Sequence, residues 1–203
     1  MLIVIYLLYV KLSETIHINR LLGGRHLFLL NKAEKSPTFC INYSDKQLMN
    51  KSLLIVAHIP SPNTMMLRNA VVKGAENPDI EGIDLVVRTP FEAGPEDVLT
   101  ADGIILGTTE NLGYMSGALK DFFDRIYYPC LEVKQGLPYG LYIRAGHDGT
   151  GTRRAVETIV TGLRWKPVQE EALICRGEYR DEFKGECEEL GMLIAAGLEA
   201  GIF

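Results

Sequence analysis

Three stretches of the chain bring together residue types that could hold a ligand. The first is His58-Ile59-Pro60-Ser61-Pro62-Asn63-Thr64, which follows an apolar run and opens a helical segment. Hydroxyls, a carboxamide and free backbone N–H groups at a helix N-terminus make an anion site by geometry and by macrodipole. The same Ser61, Asn63 and Thr64 also serve as ordinary helix caps, and that reading stands beside the first. No lysine lies in the stretch, so it is not a Walker A loop. The second stretch runs Gly107-Thr108-Thr109-Glu110-Asn111-Leu112-Gly113-Tyr114-Met115-Ser116-Gly117. It is longer than a strand-to-helix connector needs. Gly113 lets backbone approach a flat ligand, and Tyr114 can lie against an aromatic ring. The third is Ala145-Gly146-His147-Asp148-Gly149-Thr150-Gly151-Thr152, with glycines that expose N–H groups at another helix start.

Other arrangements point away from side-chain catalysis. G-x-x-S-G at 113–117 is not the nucleophile elbow G-x-S-x-G, and Ser116 reads as a helix N-cap. His147 and Asp148 are adjacent, and neighbouring residues rarely face one another. His17, His26 and His58 show no metal spacing, and no metal is expected. The glycine order G-x-x-G-x-G after a fourth strand is the reverse of the dinucleotide fingerprint, which belongs after a first strand. Arg153-Arg154 could attract an anion, although two basic residues on an exposed turn usually serve solubility. No catalytic residue is assigned.

The elements that must carry these loops alternate. Leu53–Ala57 is a continuous apolar run, the mark of a strand covered on both faces. Further strands are expected at 83–87, 103–107, 139–145 and 168–175. Helices are expected at 63–77, 95–100, 116–128, 152–164 and 179–198, the third stopped by Pro129. Five strands interleaved with five helices predict an α/β fold, a doubly wound five-stranded parallel sheet with helices on both faces. Ligands of such sheets bind beyond the carboxyl ends of the strands, where the three loops lie.

The whole chain has 203 residues, 47% apolar and 23% charged, with a net charge of −5. That excludes a disordered or fibrous chain and argues against nucleic acid as the main partner. The four cysteines (Cys40, Cys130, Cys175 and Cys187) form no C-x-x-C pair and no regular framework, which favours a reducing, cytoplasmic compartment. Residues 1–48 differ from the rest. They open with the apolar MLIVIYLLYV and hold six basic against three acidic side chains. The apolar run is too short to span a bilayer, so no stable membrane insertion is expected. We expect an N-terminal extension at 1–48, more simply an upstream start chosen in place of Met49, and a single domain at 49–203.

Taken together, the loops of residues 50–203 resemble those of flavodoxin-like FMN-binding proteins of the WrbA and NADPH-dependent FMN reductase type. The match is strongest from Gly107 to Gly117 and on into Ala118-Leu119-Lys120-Asp121-Phe122-Phe123-Asp124-Arg125. Thr109 stands where the family usually has proline. The resemblance implies that Ser61, Asn63 and Thr64 hold the FMN phosphate. Thr108, Thr109, Glu110, Asn111, Leu112, Gly113, Tyr114 and Met115 would wrap the isoalloxazine. Ala145, Gly146, His147, Asp148, Gly149 and Thr150 would close its other side. It implies an NAD(P)H-dependent oxidoreductase passing electrons to a small quinone-like acceptor, assembled as a homodimer or homotetramer. A flavodoxin-like electron carrier without turnover of its own is the alternative.

Overall fold

A computed structural model of the chain describes residues 50–203. The expected extension at 1–48 lies outside the described residues. Five parallel strands carry the sheet: β1 (Lys51–Ala57), β2 (Ile83–Arg88), β3 (Gly103–Asn111), β5 (Pro138–Ala145) and β7 (Leu173–Arg176), in the spatial order β2-β1-β3-β5-β7. Two-residue strands are added at β4 (Tyr114–Met115), antiparallel to β3, and at β6 (Lys166–Pro167), beside the start of β5. The helices are α1 (Pro62–Ala75), α2 (Pro95–Thr100), α3 (Gly117–Leu131), α4 (Thr150–Gly162) and α5 (Glu182–Glu199).

The apolar run of β1 is buried on both sides, and its period of two divides the core. Leu54 and Val56 join Ile104, Leu106 and the apolar stripes of α2, α3 and α4. Leu53, Ile55 and Ala57 join Ile105, Tyr142 and the stripes of α1 and α5. The chain therefore leaves β1 towards one face and β3 towards the other. The carboxyl ends of these two neighbouring strands are therefore the switch point at which such sheets bind ligands.

Three expected boundaries change. The third helix does not stop at Pro129, which lies inside α3. Only the last turn loses a hydrogen bond there, and the buried Cys130 beyond the proline anchors it to the core. The fifth strand, expected over 168–175, is broken into β6 and β7, with a bend at 168–171 between them. Gln169 Oε1 accepts the Leu141 N–H at 2.8 Å across that break, so a side chain replaces part of the backbone ladder. The last helix begins at Glu182 rather than Tyr179, because Gly177 turns the chain at φ +76° after β7.

Candidate functional site at the carboxyl ends of the sheet

The first loop leaves β1 at His58, whose N–H donates to Gly107 O at 2.9 Å and keeps the two strands together past their ends. Ser61 is the N-cap of α1 and Pro62 follows it inside the first turn. Ser61 Oγ accepts the Thr64 N–H at 3.3 Å, Thr64 Oγ1 accepts the Ser61 N–H at 3.0 Å, and the Thr64 hydroxyl donates to Ser61 O at 2.8 Å. The capping reading is therefore correct for Ser61 and Thr64, and Thr64 is buried with its hydroxyl occupied. Pro62 has no N–H. Asn63, half-buried, supplies a carboxamide and a first-turn N–H that has no intrahelical acceptor. The Ser61 hydroxyl lies 3.1 Å from Thr64 Oγ1 within the same cap, so the anion-binding capacity of this end centres on Asn63.

The second stretch is not an open loop. β3 continues to Asn111 and turns back as β4, pairing Glu110 with Met115 and Asn111 with Tyr114. The two turn residues, Leu112 at φ 55° and Gly113 at φ 75°, are both left-handed. That is the backbone of a type I′ hairpin, whose twist matches the flanking strands. Leu112 is fully exposed at the tip and Tyr114 is 44% exposed beside it. A Cβ on Gly151, in the first turn of α4, would lie 2.2 Å from Gly113 O. The hairpin tip thus rests on bare helix backbone.

Glu110 joins the second and third loops. Its carboxylate accepts the His147 N–H at 2.7 Å and the Gly149 N–H at 3.2 Å. The resemblance implies this carboxylate near a flavin; here it clamps the Gly146–Gly149 turn. Asp148 likewise turns to its own backbone, accepting the Thr150 N–H at 2.8 Å, and that bond holds its carboxyl below the usual range. It is thus committed to the helix start, which disfavours an acid–base pairing with His147.

Of the residues expected to line the site, several point inward. Thr108 is buried, its hydroxyl donating to Ser116 Oγ at 3.2 Å and accepting the Ser116 N–H at 3.2 Å. Ser116 in turn caps α3 through the Leu119 N–H. Met115 and Ala145 are core residues. Thr109 is almost buried and donates to Asn111 Oδ1 at 2.9 Å. Asn111, Leu112, Gly113, Tyr114, Gly146, His147, Asp148 and Thr150 remain on the surface, while Gly149, as N-cap of α4, is buried at φ 71°.

Two residues not expected from the sequence sit beside these loops. His58 shows no metal spacing, yet its Nδ1 lies 3.5 Å from Thr109 Oγ1, between the first and second loops. Burial pushes its pKa down, favouring the neutral ring. Arg144 donates to Ala145 O at 2.6 Å, Cys175 O at 3.0 Å and Gly177 O at 2.6 Å, tying the ends of β5 and β7 together. The first could be suspected from its place one residue past a strand end. The second carried no signal, because its partners are backbone atoms brought near by sheet order. Among the described residues no cluster of three potential metal ligands occurs, and no helix is long and apolar enough to cross a membrane.

Solved structures share this arrangement. A flavodoxin from the domain Archaea superposes with a TM-score of 0.63 at 18% identity, covering 73% of this chain and 99% of that one. A WrbA-like flavodoxin from Agrobacterium tumefaciens superposes at 0.58 with 16% identity, covering 75% of this chain and 98% of that one. In sequence, a flavodoxin of Aquifex aeolicus is 30% identical over 111 residues, 55% of this chain and 59% of that protein. This chain therefore spans about three-fifths of the length of that relative. No protein-family model matches the chain. The fold of residues 50–203 is flavodoxin-like.

Proposed function

We propose that residues 50–203 bind FMN and pass electrons from NAD(P)H to a small quinone-like acceptor. The observation that supports this best is the meeting of three loops at the β1–β3 switch point. The first turn of α1 offers the Asn63 carboxamide and N–H to a phosphate. The hairpin tip offers Leu112, Gly113 and Tyr114, and the turn at Gly146–Asp148 offers open backbone. A Cβ at Gly113 or Gly146 would meet nothing within 4 Å, so both flanks leave room for a flat ring system. These residues fit FMN, with fewer phosphate donors than the sequence reading expected, since Thr64 is held in the cap. Bound there, FMN would supply the hydride and single-electron chemistry, which no side chain here need perform. The protein's part is to hold the ring edge, to keep the Gly146–Gly149 turn in place through Glu110, and to leave one face open. A cytoplasmic homodimer or homotetramer belongs to the same proposal.

The carrier reading draws support from the similarity to flavodoxins. Electron carriers, however, tend to dock through strongly acidic surfaces. Here Arg154, Arg176 and Arg180 stand at this end without ion-pair partners among the described residues, beside Asp148 and Glu178, which suits an anionic donor. Purified protein mixed with FMN should become yellow with a shifted visible spectrum, and riboflavin, lacking the phosphate, should bind more weakly. Stopped-flow mixing with NADPH or NADH then separates the readings. Bleaching within minutes, with faster turnover when a quinone is added, supports the enzyme. Bleaching by dithionite alone leaves a carrier.

A further inference from the structure

A second concavity lies one strand beyond the proposed ring site. Its volume is about 500 Å³, within the range of small-molecule sites, and Asp148, Ile174, Arg176, Glu178, Tyr179 and Arg180 line it. Asp148 belongs to the third loop, so the cleft adjoins that loop. We infer that this cleft is a subsite for the ribose-phosphate part of a nucleotide, and that it holds the nucleotide end of the electron donor. The inference rests on the proposed use of NAD(P)H.

The lining has the matching chemistry. Arg176, the last residue of β7, and Arg180 form no ion pair within 4.0 Å among the described residues. Two unspent guanidinium groups suit phosphate oxygens, which they can meet with paired N–H donors. Arg180 is not free to wander, since its Cζ lies 4.7 Å above the Phe183 ring. Two carboxylates, Asp148 and Glu178, balance the arginines, so the cleft is a poor trap for a bare anion. Ribose hydroxyls can donate to those carboxylates while the phosphate meets the arginines. The Tyr179 hydroxyl is buried without a hydrogen-bond partner, a state that native proteins seldom tolerate. The Tyr179 ring lines the cleft and packs edge-on against Phe183, while the hydroxyl itself is closed off from the cleft and burial pushes its pKa up. Ile174 supplies an apolar patch. Arg144, bonded to Cys175 O and Gly177 O, fixes the turn that carries Glu178 to Arg180. Reach is adequate as well. The proposed ring site is flanked by the β3–β4 hairpin and the turn after β5, and adjacent strands are about 4.8 Å apart. A dinucleotide whose nicotinamide stacks there extends over the third loop into the cleft.

Calorimetric titration of the full chain, with and without FMN, tests the assignment using adenosine, ADP and 2′,5′-ADP as probes. Saturable binding of ADP or 2′,5′-ADP at least tenfold tighter than adenosine is expected. Arg176→Gln and Arg180→Gln should each weaken it by about tenfold, the usual effect of losing a charge-assisted contact. FMN affinity should be unchanged in both variants, whose side chains are exposed. Equal binding of adenosine and ADP, or phosphate-dependent binding indifferent to both arginines, overturns the subsite. Should nucleotides bind as described while neither NADPH nor NADH bleaches the flavin, the cleft stands and the hydride-donor reading fails. Should both dinucleotides bleach it without any binding of the probes, the cleft fails and the donor reading stands.

Discussion

Leu112 occupies a left-handed position that suits asparagine or glycine, and it does so fully exposed. A branched aliphatic residue there is disfavoured by about 1 kcal/mol, so the side chain is kept for contact rather than for stability. Leu112→Asn, which would give the Asn-Gly pair that type I′ turns prefer, should raise stability by about 1 kcal/mol in urea denaturation. The same variant should lower quinone turnover, because the tip loses its apolar contact. His58 gives a prediction of pH dependence. Burial depresses its pKa in the folded state below the ordinary 6.5, so on acidification the unfolded chain takes up a proton first. Its contribution to stability is therefore whole above about pH 6.5 and is lost as pH falls through the lowered folded value. Urea midpoints compared at pH 7.5 and pH 5.5 should show a smaller acid loss in His58→Gln than in the natural chain.

At the level of elements, α1 and α5 approach through paired glycines. A Cβ on Gly74 would lie 1.9 Å from Glu188 O, and one on Gly191 would lie 2.0 Å from Val71 O. Each helix puts bare backbone against the other's carbonyl, and α1 is thereby held at the height that brings its first turn to the end of β1. Gly191→Ala must push the helices apart and should destabilise by about 1–3 kcal/mol, read as a lower urea midpoint. FMN affinity should fall with it, because the Ser61–Thr64 turn moves with α1. The hairpin shows why element boundaries are hard to read from sequence. Thr108 to Asn111 is polar, and a polar stretch after an apolar strand looks like loop. Its backbone nonetheless continues as strand because β4 returns along it, and Leu112 gave no sign of a turn residue.

For the molecule as a whole, the sheet from β2 to β7, both core clusters and all three loops lie within residues 50–203. We therefore expect a chain beginning at Met49 to fold and to bind FMN with the affinity of the full chain. Expression of both forms, followed by visible spectroscopy and flavin titration, checks it. An insoluble or colourless short form beside a yellow full-length one would assign residues 1–48 to the folding unit.

The doubly wound sheet was legible in the sequence because buried parallel strands must be apolar throughout and amphipathic helices must repeat near 3.6 residues. Leu53–Ala57 and the Leu119, Phe122, Phe123, Ile126 stripe carry that period whatever the rest of the chain does. The three loops were legible for a related reason: glycine, asparagine, serine and threonine at helix starts are demanded by local backbone geometry. What only the tertiary structure decided was which side chains those loops spend on themselves. Glu110 reaches 37 residues along the chain to the His147 N–H, and Thr108 turns into the core to bond Ser116. The neutral His58 between two loops and the unpaired Arg176 and Arg180 at one cleft depend equally on strand order. Local pattern specifies the backbone period, whereas the role of a polar side chain depends on partners distant in sequence, and only the packed sheet brings those partners within hydrogen-bonding distance.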